Sequence, residues 1–191
     1  MAKASSLKNM VVALLVITFV AAATLGAVYV FTGKPIEAAR LAKINKAIAE
    51  VTPPFDNNPS DEVREVPVDG RTLRLFPAKK DGALVGIAVE TATTKGFSGL
   101  ITLMVGFLPD GTIYNTAVIS HAETPGLGDK IDRSKSNFSV QFEGKHPDNF
   151  QLAVKKDGGD VDAITASTIS SRAFCDAVER AYKAISSGQW Q

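Results

Sequence analysis

The chain has 191 residues with Lys+Arg 21 against Asp+Glu 20, so no charge excess points to nucleic acid or to an anionic surface as a partner. Its single cysteine, Cys175, excludes an intrachain disulfide, and two histidines, His121 and His146, with no cysteine pair give little support for a closed protein metal site. Redox chemistry in such a chain has to come from an organic cofactor.

From the N-terminus, no charge occurs between Lys8 and Lys34, and Val11 to Phe31 is almost wholly apolar. That run meets the roughly 20 residues a helix needs to cross a bilayer. A signal peptide is the alternative, with Val11 to Val20 as its apolar region and Ala21-Ala22-Ala23 as a cleavage site. The apolar run continues through Val28-Tyr29-Val30-Phe31, and a retained anchor is the expectation. Lys3 and Lys8 compete with Lys34, Arg40, Lys43 and Lys46 across the run, so charge does not decide the orientation. The chain beyond it is long enough for one core and no more.

Leu41, Ile44, Ile48 and Val51 recur at helical spacing and stop at Thr52-Pro53-Pro54, which predicts a juxtamembrane helix over 34–54 whose basic residues lie near lipid headgroups. After a polar break at Asp56 to Asp61, Thr72 to Phe76 and Leu84 to Thr91 read as strands divided by the Lys79-Lys80-Asp81-Gly82 turn. Gly99 to Leu108 and Thr112 to Ser120 flank Pro109-Asp110-Gly111, a hairpin that delivers His121 to Gly128 at the exit of its second strand. A helix or loop over 131–141, a strand around Phe150 to Val154 and a final helix from Ser170 to Ser186 complete an α+β domain. The fold class is one N-terminal transmembrane helix followed by a mainly antiparallel sheet flanked by helices.

Two segments carry chemistry. In Asp162-Ala163-Ile164-Thr165-Ala166-Ser167-Thr168 a turn-rich loop feeds a helix whose apolar stripe is Phe174, Val178, Ala181 and Ile185, so Thr168 falls near a helix start. The free N–H groups and positive dipole end of a first turn suit a phosphate. An ordinary N-cap explains the same residues, and local physics alone favours the cap. In His121-Ala122-Glu123-Thr124-Pro125-Gly126-Leu127-Gly128, a proline followed by glycines makes a turn whose backbone can approach a flat ligand; an ordinary surface loop is the alternative.

Together with Lys95-Gly96-Phe97-Ser98-Gly99, these segments are similar to the FMN-binding domains of two protein families. One is the G-type subunit of the Rnf ion-translocating electron transport complex, the other the C-type subunit of the Na+-pumping NADH:quinone reductase. The first segment resembles their Asp-x-x-[Ser/Thr]-Gly-Ala-Thr motif and the second their His-x-Glu-Thr-Pro-Gly-Leu-Gly motif. Ala166 and Ser167 stand where the motif usually has glycine and alanine. The resemblance implies FMN joined covalently through its phosphate to Thr168 by a dedicated flavin transferase. Thr165, Ala166, Ser167 and the backbone amides through Ser170 would then receive the phosphate, and Glu123, Thr124, Gly126 and Leu127 would lie along the flavin or its ribityl chain. It implies that Asp162 fixes the loop or serves the transferase's metal. His121 and Arg172 remain open between a role at the flavin and a structural or solvated one.

The implied activity is electron relay inside a complex that moves electrons between ferredoxin and NAD and pumps Na+ or H+. No independent catalysis is implied, and the chain has no nucleotide-binding glycine fingerprint of its own. The implied location is the inner membrane as a single-pass protein, with the FMN-binding domain, 55–191, outside the cytoplasm and the anchor within 1–33. Its implied partners are the other membrane subunits, the transferase and lipid, with no nucleic acid. The short domain fits the Rnf protein better than its longer counterpart in the quinone reductase. A reading of another class is a flavin-free assembly or scaffold subunit.

Overall fold

The computed structural model describes residues 6–188, so Lys3 and the first residues of the tail lie outside it. The first helix, α1, runs unbroken over Leu7–Val51 and passes through Pro35. The stretch expected as a juxtamembrane helix is the C-terminal part of this same element. The chain divides into two compact units, 1–42 and 43–191.

In the first unit the apolar residues of α1 have no protein to cover them. Leu14, Leu25 and Phe31 are 63%, 72% and 80% exposed, and the most apolar stretch has a mean hydropathy of 2.6 with none of it buried. A helix apolar all round calls for apolar surroundings, whether lipid or other protein. It is long and apolar enough to cross a membrane.

The second unit is built on one antiparallel sheet in the order β1-β2-β3-β4-β5, with every strand beside its neighbour in sequence. The strands are β1 Arg64–Val68, β2 Arg71–Lys80, β3 Ala83–Gly96, β4 Gly99–Phe107 and β5 Ile113–Ser120. Asp69-Gly70 and Asp81-Gly82 close the first two hairpins with positive φ at both central residues, the geometry that matches strand twist.

Alternation along the strands creates two cores. Leu73, Leu75, Ile87, Val89, Leu103, Val105 and Phe107 point to one face. There they meet helix α2, Thr168–Ser186, through Phe174, Ala177, Val178 and Ala181. Each fully buried Phe174 or Val178 side chain contributes about 2 kcal/mol of hydrophobic stabilisation. Phe138 and Phe142, carried by a short 3-10 turn over Phe138–Phe142, pack on Phe174 with ring centroids 5.3 and 5.1 Å away. The other face holds Phe76, Ala88, Met104 and Ala117 against Ile44, Ala47, Ile48 and Val51 from the end of α1. Gly106 lies under that end, where a Cβ would fall on the Val51 carbonyl.

The sequence misses β1, and the expected strand over 150–154 does not form. That stretch is a bend with a single parallel bridge, Val154 to Val161. Gln151 turns back to the following loop, its N–H donating to Asp160 Oδ2 at 2.7 Å and its carbonyl accepting from the Asp160 N–H at 3.1 Å. Its alternating apolar residues cover the core edge without joining the sheet.

Candidate functional site

Three segments far apart in sequence converge at the N-terminus of α2. The β3–β4 turn supplies Phe97, the chain leaving β5 supplies Glu123, Thr124, Leu127 and Gly128, and the α2 entry supplies Ala166 to Ser170. Between them lies a cavity of about 340 Å3, within the size range of small-ligand sites.

The chain after β5 is shaped by Pro125 and Gly126. The Leu127 N–H donates to the Thr124 carbonyl at 3.1 Å, and Gly126 has φ +77, so the four residues form a turn that needs a glycine at its third position. That turn aims Thr124 and Leu127 at the cavity while Gly126 stays outside its lining.

The α2 entry is held by Ser171. Its hydroxyl accepts from the Ile164 N–H at 3.0 Å and donates to the Ser167 carbonyl at 3.0 Å, closing the loop just before the helix. Ser167 is the N-cap residue, yet its side chain makes no capping hydrogen bond. The N–H groups of the first turn are therefore left without the usual side-chain acceptor, on the cavity wall and beside the half-buried Thr168. Such a turn is a ready acceptor site for a phosphate. Phe97, Leu127 and Ile169 supply apolar walls despite being 68%, 42% and 47% exposed. Free N–H groups of a helix first turn beside apolar side chains suit a phosphorylated aromatic molecule.

Ala166 has φ +62, a left-handed conformation that costs alanine about 1–2 kcal/mol. The left-handed turn that a glycine would favour is thus kept without one.

Glu123 is 4% exposed. Its Oε1 accepts from the Ser98 N–H at 2.9 Å, and its Oε2 accepts from the Ser170 hydroxyl. It thereby ties the β3–β4 turn to helix α2. His121 accepts the Glu123 backbone N–H at Nδ1, at 3.1 Å, and does not line the cavity, which favours its structural reading.

The sequence-predicted residues divide. Glu123, Thr124, Leu127, Ala166, Ser167 and Thr168 share the cavity. Thr165 lies instead in a separate groove with Lys130, Asn137, Gln141 and Asp162. Asp162 is exposed and paired with Lys155 at 2.8 Å, and its backbone N–H and carbonyl are both bound by the Gln141 side chain. It anchors the loop.

Arg172 makes a two-point pair with Asp157, at 2.6 and 2.8 Å, instead of facing the cavity. The bond to Arg172 holds the Asp157 carboxyl below the usual aspartate range, and Asp157 in turn raises the Arg172 guanidinium. Cys175 is buried on α2, and burial pushes its thiol up to about 12. It is an inert packing residue.

Sequence reasoning passes over Phe97 and Gly128 as site residues, and reaches Ile169 and Ser170 only through their backbone amides. Phe97 and Gly128 stand inside the motifs and could have been taken from them. Ile169 and Ser170 follow from helix geometry once Thr168 is the first helical residue.

A family model described as the FMN-binding domain matches residues 96–183, which include every residue lining this cavity. The G-type subunit of the ion-translocating oxidoreductase complex of Erwinia tasmaniensis is 44% identical over 140 residues, covering 69% of this chain and 67% of that protein. The proteins of the same name from Haemophilus influenzae and Vibrio cholerae are 37% and 34% identical over 160 and 172 residues. They cover 80% and 85% of this chain, and 77% and 82% of their own lengths. With this cavity on an antiparallel sheet and an apolar helix ahead of it, the chain belongs to the family of G-type subunits of ion-translocating oxidoreductase complexes.

Proposed function

We propose that this chain is the membrane-anchored flavoprotein subunit of an Rnf-type oxidoreductase complex, relaying electrons through an FMN bound covalently to Thr168. The observation that carries the reading is the convergence of Thr168, the uncapped first turn of α2 and the Glu123–Leu127 segment on one cavity. The first-turn N–H groups would hold the phosphate, and the Thr168 hydroxyl would be its point of attachment. Phe97, Leu127 and Ile169 would exclude water from the ring, with Thr124 as a hydroxyl donor beside it. FMN supplies reversible electron acceptance there, and the chain supplies attachment, orientation and the local field. Tethered through its phosphate, the cofactor cannot dissociate.

Thr165 and Asp162 face the separate groove, which suits support of the attachment loop or contact with the flavin transferase during maturation. We assign the anchor to α1, the basic residues Lys43 and Lys46 to the neighbourhood of lipid headgroups, and the FMN-binding domain to the extracytoplasmic side. Coupling to Na+ or H+ transport belongs to the assembled complex with its other membrane subunits.

The test is to coexpress the full-length chain with a flavin transferase, denature it and look for flavin fluorescence that stays with the protein band on a gel. Wild type and Thr165→Val retain fluorescence, and Thr168→Val loses it entirely. Fluorescence persisting in Thr168→Val would reject the attachment site. Its absence from wild type would favour the scaffold role.

A further inference from the structure

We propose that Glu123 sets the reduction potential of the bound flavin, holding it low through an uncancelled negative charge on the cavity wall. The inference rests on the reading of the cavity as the FMN site and adds to it a residue that governs the energy of the electron.

Among the ten described residues that line the cavity, Glu123 is the one acidic or basic side chain. Its hydrogen-bond partners, the Ser98 N–H and the Ser170 hydroxyl, are both neutral. Of the nearby cations, Lys95 pairs with Asp176 and Arg172 with Asp157, and the Lys130 side chain lines the separate groove and not this cavity. The carboxylate is also fixed in place. A Cβ on Gly96 would lie 2.7 Å from Oε1, and one on Gly128 would lie 2.6 Å from Oε2. Those two glycines leave the space the carboxylate fills.

Burying a carboxylate without a countercharge is costly. A strut would not require that cost, because a glutamine could make both contacts: its carbonyl would accept from Ser98 and its amide would donate to the Ser170 oxygen. The feature that glutamate adds is the charge. Beside a ring that gains electrons, a fixed negative charge disfavours the reduced form, and the low dielectric of a buried wall strengthens the effect.

The experiment is a spectroscopic redox titration of the full-length, flavin-loaded protein in detergent, comparing wild type, Glu123→Gln and Ser170→Ala. Glu123→Gln keeps the shape and removes the charge, so the oxidised–reduced equilibrium shifts toward reduced flavin by about tenfold. That corresponds to a potential about 59 mV higher for a one-electron step. Ser170→Ala removes a donor that disperses the charge, so the potential moves down, by about threefold in the same equilibrium. Opposite shifts distinguish a field effect from a general loosening of the site.

An unchanged potential in Glu123→Gln, or shifts of the same sign in both variants, overturns the proposal. If Glu123→Gln holds no flavin, Ser170→Ala decides alone, and a raised or unchanged potential there overturns it. Wild type without flavin would reject the cavity assignment itself and this inference with it, an outcome visible before any titration begins.

Discussion

Replacing Ala166 with glycine should stabilise the folded domain. Ala166 has φ +62 in the turn that feeds helix α2, and a Cβ in that region crowds the following carbonyl at a cost of about 1–2 kcal/mol. Glycine relieves this but has more freedom to lose from the unfolded chain, about 0.4–1 kcal/mol. The residue is exposed, so removing its methyl opens no core cavity. The balance is a gain of about 0.5–1 kcal/mol, or about 1–4 °C in Tm for a domain of this size. Differential scanning calorimetry of the full chain in detergent would measure it. Asp81 provides an internal comparison. It also has positive φ, 51°, but aspartate tolerates that region, so Asp81→Gly should gain less than Ala166→Gly. A Tm for Ala166→Gly at or below that of wild type would refute the strain assigned to this turn.

Two further substitutions probe the scaffold. Gly106→Ala should cost at least about 2 kcal/mol, because its methyl would fall on the Val51 carbonyl and force the end of α1 off the sheet; equal denaturant midpoints for variant and wild type would contradict that packing. Asp176 tests acid stability. Burial alone would raise its carboxyl, but bonds from Lys95 and Thr93 and the Arg180 charge together hold it below its ordinary 3.8. A carboxyl depressed on folding contributes stability that is present above the unfolded value and lost as pH falls through the folded one. Asp176→Asn should therefore lower the unfolding midpoint at pH 7 and flatten the decline below about pH 4, which parallel urea titrations at the two pH values would read.

The hairpin of β4 and β5 and helix α2 were legible because their signals are local. Pro109-Asp110-Gly111 separates two β-branched runs, and Phe174, Val178 and Ala181 keep one face of a helix. β1 was hidden because Arg64-Glu65-Val66-Pro67-Val68 is short, charged on its exposed positions and carries a proline, features tolerated only on an edge strand, where it lies. The alternation of Phe150, Leu152 and Val154 imitated a strand because core-covering loops also place every second side chain inward. At the site, residue types and motif identity pointed to Glu123 through Leu127 and to Thr168. What spacing could not carry was that Thr165, three residues before Thr168, turns into another groove, or that Phe97 joins from the β3–β4 turn. Those facts depend on the direction of a left-handed turn and on a meeting of segments more than twenty residues apart in the chain.

The contact between Glu123 and Gly128 changes the meaning of the segment that contains both. A methyl at position 128 would lie 2.8 Å from the Glu123 Cβ and equally close to the Ser170 hydroxyl. The last glycine is thus a mould for the first acid, and the two ends of the loop fit one another. Part of what reads along the chain as a cofactor signature is the protein's internal fit, and the vocabulary of that signature describes a socket and its own plug as much as the guest.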